Sequence, residues 1–344
     1  MTRIAELPSG AILHQVTHDD AVKSNIYCET PYCSADGRTF VYQRHGDPND
    51  TAYMLVEFGS WKRWEALRGY AKPGISHRGQ LYVRRPASNG GEELIRLNLD
   101  DGATTCIHEL PEPIAPRSRP AISDDERYMA YCVALSYEPQ RFGIRLIDLH
   151  SGSDELVHED PHIWNAHLQF EPGARRLLVQ HNRGSRFSPE GERLQKCGPE
   201  GKTVFLLSVP GGEVTRMKAG PPHTPDTTGH EAWVPGSDGV VFTTAPSDDV
   251  NADTGNLFRV RPGEAPAHAV RGGLYNHIAT SRCGGYVALD TLRTGERLYV
   301  GSLSTGRVTD IGPSGTDQRY GQQETHPHPW LSSDLRWMVF NSTR

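Results

Sequence analysis

The stretch QQETHPHPW, Gln322 to Trp330, sets Gln323, His326 and His328 within six residues. Two imidazoles and a carboxamide so close together read as a metal-binding loop. Imidazole suits zinc, copper, iron or nickel, and an added amide oxygen with open positions admits manganese. Pro327 and Pro329 fix φ and stiffen the loop. No cysteine joins the set, which argues against a structural zinc site. A polar His/Pro surface loop is the plain alternative, so at least one further ligand has to come from elsewhere in the fold.

The rest of the chain indicates what positions this loop. Apolar runs are short and alternating, as in half-buried strands. A turn followed by a strand recurs as CSADGRTFVYQ (33–43), SHRGQLYVRR (76–85), ISDDERYMAYCV (122–133), FEPGARRLLVQ (170–180), WVPGSDGVVFT (233–243), TSRCGGYVALD (280–290) and LSSDLRWMVFN (331–341). A hairpin with a Gly-containing turn follows most copies, as in IRLIDLHSGSDELVH and LYVGSLSTGRVTDI. About four strands per roughly 45 residues is the signature of a β-propeller. The last copy stops at FNSTR without a hairpin, and the chain opens on a hairpin, TRIAELPSGAILHQV, without a preceding strand pair. The expectation is therefore an all-β, seven-bladed propeller forming one domain over 1–344. Its ring is closed by the N-terminal hairpin completing the last blade, since closure removes exposed edges.

Counting back five residues from the turn aligns the inner strands. Pro172 leads to His167, Pro235 to His230, Arg282 to His277, Ser333 to His328, and Asp124 to Arg119. Innermost strands line the channel of a propeller, so these side chains should form a ring at one height. A lone histidine there would most simply hold channel water, but four in one register point to a site. His277 stands beside the loop of Gln323, His326 and His328, giving three imidazoles and one amide oxygen as a four-ligand set.

Composition removes other classes. The chain of 344 residues has net charge -6, no basic stripe and sixteen histidines, so nucleic acid is not an expected partner. No apolar run is long enough for a membrane span and MTRIAELPSG has no secretory h-region. The six cysteines are scattered without a C-x-x-C, as in a reduced cytoplasmic protein. No G-x-S-x-G occurs, which argues against a serine peptidase built on a propeller.

The Q-x-x-H-x-H of QETHPH, His277 in YNHIA, the GHEAWVP at 229–235 and the opening SNIYCETPYCSADGRTFVY resemble the oligogalacturonate lyases, a polysaccharide lyase family. The resemblance runs over nearly the whole chain. It implies a cytoplasmic seven-bladed propeller that binds manganese through His277, Gln323, His326 and His328. It implies cleavage of short galacturonides by β-elimination, with His230 as base and Lys202 of GKTVFLL as a basic helper. The segment 179–201, VQHNRGSRFSPEGERLQKCGPEG, departs from the family pattern and supplies His181 and Arg183. Arg183 is a second candidate helper. Arg119, His167 and His181 are candidate substrate-binding residues for a small acidic oligosaccharide, an oligogalacturonide or a related uronate.

Such an elimination needs these residue types. The proton α to a uronate carboxylate is weakly acidic, so the carboxylate must be neutralised and the enolate-like charge stabilised. A divalent cation and cationic side chains do both. A neutral imidazole is a suitable base near physiological pH. A non-catalytic propeller holding a sugar or peptide is the competing reading. It accounts for the repeats but not for the ligand spacing.

Overall fold

The repeat turn has a direct physical cause. In the computed structural model, which describes residues 2–47, 50–173, 175–291, 296–316 and 326–343, a serine at the end of most inner strands folds its hydroxyl back into the turn. Ser34, Ser123 and Ser332 donate to Asp36, Asp125 and Asp334 at 2.6–2.7 Å. The same oxygens accept from the backbone N–H of Thr39, Tyr128 and Trp337 where the next strand begins. A side chain that satisfies its own turn's amides specifies the reversal locally.

Strands built on these turns form six four-stranded antiparallel sheets. The first comprises Lys23–Ser24, Thr39–Arg44, Thr51–Glu57 and Arg63–Gly69, and the second Gly74–Ile75, Gln80–Pro86, Glu92–Asn98 and Thr104–Leu110. The third contains Ala121–Ile122, Tyr128–Tyr137, Gln140–Asp148 and Asp154–Asp160. The fourth contains Gln169–Phe170, Arg176–Asn182, Lys202–Ser208 and Val214–Arg216. Thr227–Trp233, Val240–Thr244, Leu257–Val260 and Ala267–His268 make the fifth, and Tyr275–Thr280, Tyr286–Thr291, Arg297–Ser302 and Val308–Pro313 the sixth. The core lies between neighbouring sheets. Tyr82, Leu94, Met129 and Tyr131 join the second to the third, and Leu206, Trp233, Phe242 and Phe258 join the fourth to the fifth. This is a β-propeller. No helix among the described residues is long and apolar enough to cross a membrane, and all six cysteines are free.

The expectation of seven complete blades needs correction: six are four-stranded. After them come two separate ladders, Trp330–Leu331 with Met338–Val339 and Thr2–Glu6 with Ile12–Gln15. No backbone ladder joins these two pairs among the described residues. Aromatic side chains occupy the seam instead. The His14 ring stacks on Trp61 at 5.3 Å and meets Trp337 at 5.9 Å, while Phe58 stacks on Trp337 at 5.5 Å. A cavity of about 430 Å³ remains between the hairpin and the C-terminal pair. The hairpin is also held by neighbouring sheets. Ser9 donates to the Ile311 carbonyl at 2.6 Å, and Arg63 to the Val16 carbonyl at 2.8 Å.

What matters most for function is an irregularity in the inner strands. In the fourth sheet His167 and Leu168 together face Val179, between the Gln169–Leu178 pair and the Gln180 N–H bond to the Ala166 carbonyl. At the C-terminus His328 and Pro329 face Phe340, between the Trp330–Val339 pair and the Asn341 N–H bond to the Pro327 carbonyl. The fifth and sixth sheets shift register between Thr227 and Glu231 and between Tyr275 and Ile278, across His230 and His277. Such bulges re-aim side chains and favour functional sites. Lys72, His167 and His328 have φ of 67°, 45° and 44°, a left-handed conformation that costs a non-glycine residue about 1 kcal/mol or more.

The C-terminal bulge is held by a reciprocal clamp. Asn341 accepts the Asn25 N–H at 2.7 Å and donates to the His326 carbonyl at 2.9 Å. Asn25 donates in turn to the His328 carbonyl at 2.6 Å. Asn341→Ala would leave buried groups unpaired, and each such loss costs about 1–3 kcal/mol. The expected outcome in urea denaturation is a fall in stability of about 2 kcal/mol, whereas an unchanged midpoint would show the clamp to be incidental.

Candidate metal centre and its surroundings

The bulges bring three imidazoles to one point. One nitrogen from each of His277, His326 and His328 lies within 4.8 Å of the others. Ring centroids are 4.2 Å apart for His277 and His328, 5.3 Å for His277 and His326, and 5.7 Å for His326 and His328. Gln323, the fourth expected ligand, lies outside the described residues.

The trio suits a cation on chemical grounds. Asp290, fully buried on the second strand of the sixth sheet, accepts the His277 backbone N–H at 2.9 Å and pairs with its Nδ1 at 2.7 Å. That bond puts the ring proton on Nδ1 and leaves Nε2 unprotonated, as a carboxylate–histidine–metal arrangement requires, with the Asn276 amide nitrogen 3.4 Å away. Burial, followed by the neighbouring His277, His326, Arg119 and His230, holds His328 well below the ordinary imidazole range. A buried ring that resists protonation keeps a lone pair to donate. Imidazole donates to a metal without adding negative charge, so a bound divalent ion would keep most of its charge for an anionic partner.

His230 stands beside the trio, its ring centroid 4.4 Å from that of His277. Its Nδ1 meets the Thr228 hydroxyl at 3.1 Å, which in turn contacts the Thr243 hydroxyl. Burial lowers the His230 pKa well below its usual value, and the charges of His277, His167, Lys202 and Lys196 act in the same direction. Gly229 before it has φ of +96°, and a Cβ there would sit 2.9 Å from the Gln180 amide, so only glycine fits this turn into the site. Glu231 after it is fully buried, and neither carboxylate oxygen has a hydrogen-bond partner among the described residues. Burial pushes it up to about 7, opposed by His167 and Lys202 and reinforced by Glu29.

His167 and Arg119 also pack around Tyr27. The Tyr27 ring is 4.7 Å from His328 and 6.0 Å from His167, and the Arg119 guanidinium lies 4.5 Å over it. His167 pairs with Glu29 at 2.5 Å. Burial opposes charging of His167, but the Glu29 carboxylate outweighs it and the net pKa is raised. Arg119 donates to the Ile26 carbonyl at 2.9 Å.

The remaining sequence candidates are placed differently. Lys202 is buried, and its ammonium makes no hydrogen bond or ion pair among the described residues while bearing on His230 and Glu231. Arg183 donates to the carbonyls of Gly201 and Pro221, both at 2.9 Å, and so ties down the chain next to Lys202. His181 pairs with Asp160 at 3.1 Å and packs edge-on against Phe205, apart from the imidazole trio. The segment 179–201 that carries them forms a small hairpin, Arg186–Phe187 with Arg193–Gln195, anchored where Phe187 packs against Phe142, Trp164 and Tyr137.

Asp290, Tyr27 and Glu29 were not picked out as site residues from the sequence, because they come from a second strand and from the irregular stretch between the first two strands of the first sheet. Lys72 did have a signal in the sequence. Counting back five from His77, in the second repeat, leads to it.

No family model matches the chain, and no curated protein matches it in sequence. Its fold matches solved structures. An oligogalacturonate lyase in complex with manganese aligns with TM-score 0.75 and 15% identity, over 99% of this chain and 92% of that one. The oligogalacturonate lyase of Vibrio parahaemolyticus aligns with TM-score 0.74 and 14% identity, over 99% and 93%. A puromycin hydrolase mutant complexed with PGG aligns at TM-score 0.51 and 14% identity, over 88% of this chain and 47% of that one. The likeness to the two lyases therefore spans the whole propeller, and at these identities it is a likeness of fold.

Two measurements test the site. If Asp290 orients His277, Asp290→Asn should weaken manganese binding by about 10–100-fold in titration calorimetry, and equal affinity would remove that role. Glu231 should also shape stability. Below its usual pKa of 4.5 both folded and unfolded states hold the proton. Between 4.5 and about 7 the unfolded chain releases it while the folded chain keeps it, so stability falls as pH rises through that window. Glu231→Gln should flatten this fall by a few kcal/mol, and an unaltered pH slope of Tm would contradict the assignment.

Proposed function

We propose that this protein is a metal-dependent lyase that cleaves short uronic-acid oligosaccharides by β-elimination, with oligogalacturonides or a related uronate as substrate. The observation that carries the reading is a half-buried imidazole held well below its usual pKa, His230, packed 4.4 Å from one member of a three-imidazole cation site. The whole-length fold likeness to a manganese-bound oligogalacturonate lyase supports it. In this reading His277, His326 and His328, with Gln323, hold a divalent ion, manganese foremost.

A bound cation would neutralise the uronate carboxylate and so make its α-proton more acidic. The chain's own residues do the rest. His230, kept unprotonated by burial, takes the proton from C5. Thr228 fixes the ring through Nδ1, which leaves Nε2 for the substrate. The C5 electron pair forms the C4–C5 double bond as the bond to the C4 oxygen breaks, and water protonates the departing oxygen. Lys202 adds positive charge beside His230 as the enolate develops. Arg183, bound to the Gly201 carbonyl, positions that lysine. Arg119 and His167 border the same channel mouth as substrate contacts, while His181 contributes through the 179–201 hairpin. We further propose that the N-terminal hairpin and the C-terminal pair act together as a seventh blade. The six free thiols fit a cytoplasmic setting.

The test separates the base from the ligands. Manganese-loaded His230→Ala should keep its metal but lose about 10²–10⁴-fold in turnover, followed by the ultraviolet absorbance of the unsaturated uronate. His328→Ala should lose metal and turnover together. Wild-type protein that binds uronides without generating that absorbance would instead be a binding module.

A further inference from the structure

Two imidazoles of the ring are driven towards opposite protonation states. His230 and His167 occupy equivalent positions in neighbouring sheets, five residues before Pro235 and Pro172. His230 faces a hydroxyl, Thr228, and basic groups: His277 at 4.4 Å, then the charges of His167, Lys202 and Lys196. His167 faces carboxylates. Its Nδ1 meets Glu29 at 2.5 Å, with only 17% and 14% of the two side chains exposed. Glu231 adds to the attraction, while burial and Arg119 oppose it. The balance lowers the pKa of one imidazole and raises that of the other. A fold that pushes two like groups apart in this way around one site sets out a base and an acid.

The geometry of the His167–Glu29 pair suits a proton donor. Glu29 holds the ring through Nδ1, and Nε2 makes no bond to the protein among the described residues. The second proton of the imidazolium is therefore the one that can be given away. His167 also stands close to the metal centre. The Tyr27 ring is 6.0 Å from His167 and 4.7 Å from His328, so one aromatic side chain spans the distance between His167 and the imidazole trio. The two histidines share the left-handed backbone, with φ of 45° and 44°, and strain of this kind collects at functional positions.

We infer that His167, held by Glu29, is the general acid of the elimination, and that its Nε2 proton reaches the oxygen leaving C4 through the water at that oxygen. This rests on the lyase reading above and names the source of the proton that water delivers. The step balances. His230 gains the C5 proton, and the C5–H electron pair becomes the C4–C5 double bond. The C4–O pair stays on the departing oxygen, which takes a proton from the water, and the water takes one from Nε2. His167 ends neutral on Glu29 and His230 ends charged, and exchange with solvent restores both. A positioned acid reached through one water is within the ordinary range of such catalysis. Glu29 is a positioning residue: it orients the ring and keeps the proton on it.

The experiment compares leaving groups on manganese-loaded protein. The substrates are digalacturonate and diglucuronate, with the methyl 4-deoxy-4-fluoro glycoside of each uronate, whose fluoride departs without a proton. All are followed by the absorbance of the unsaturated product. On the disaccharide that wild type cleaves, His167→Gln should lose about 10²–10³-fold in kcat, and on the matching fluoride it should stay within about 3-fold of wild type. His230→Ala should fail on both, since both lose the C5 proton. Equal loss on both substrates in His167→Gln, loss on neither, or loss of turnover together with bound manganese overturns the acid role and leaves the lyase reading intact. A second measurement needs no analogue. Turnover of wild type on the disaccharide should decline with rising pH as His167 loses its proton. Glu29→Gln should move that decline to lower pH, because the carboxylate that favours the charged ring is gone. An unmoved decline overturns the role of the pair, and it decides the matter where wild type does not eliminate fluoride. Wild type that cleaves neither disaccharide overturns the lyase reading and the acid with it.

Discussion

The site depends on one backbone device, the break in register of the inner strands that carry His167, His230, His277 and His328. A regular antiparallel strand would send alternate side chains into the two faces of its own sheet. The bulge breaks that alternation at His230 and His277, and at His167 and His328 it is accompanied by a left-handed residue. Side chains from widely separated parts of the sequence thereby converge on one mouth. The six sheets are packed tightly enough to impose this, with Trp233, Trp330, Tyr53 and Phe242 fully buried around the inner strands.

Convergence of this kind works against stability. Imidazoles crowd together, Glu231 is sealed in without a hydrogen-bond partner among the described residues, and Lys72 and Arg119 repel. The fold offsets these costs nearby, through Asp290 on His277, Glu29 on His167, and Asn25 and Asn341 across the last bulge. Each compensation holds a functional side chain in one orientation, so stabilising the fold and preparing the chemistry are here the same contacts.

Much of this was legible in the residues. The turn repeats were readable because a serine and an aspartate fold three of the turns locally, and the five-residue offset found the imidazoles because their four inner strands are irregular at the same place. The same offset applied to His77 leads to Lys72. The limits are equally physical. Closure of the ring was expected as a backbone ladder, but Trp337, Trp61, Phe58 and His14 fill the seam as side chains, and nothing in strand periodicity reveals that. Asp290 is one acidic residue at the end of an alternating strand, and its role exists only once His277 bulges towards it. Tyr27 and Glu29 belong to a stretch without a repeat pattern. Arg183 and His181 look like free basic groups in sequence, whereas in the fold they are bound to carbonyls and to Asp160.

The central claim is that three imidazoles form a cation site able to take an anionic substrate. Pulsed electron paramagnetic resonance on protein loaded with one equivalent of manganese tests it most directly. The account predicts nitrogen couplings from three imidazoles at a single bound ion, one of them lost in His326→Ala. Manganese that shows only water protons around it, or nitrogen couplings unchanged in that variant, would contradict the account.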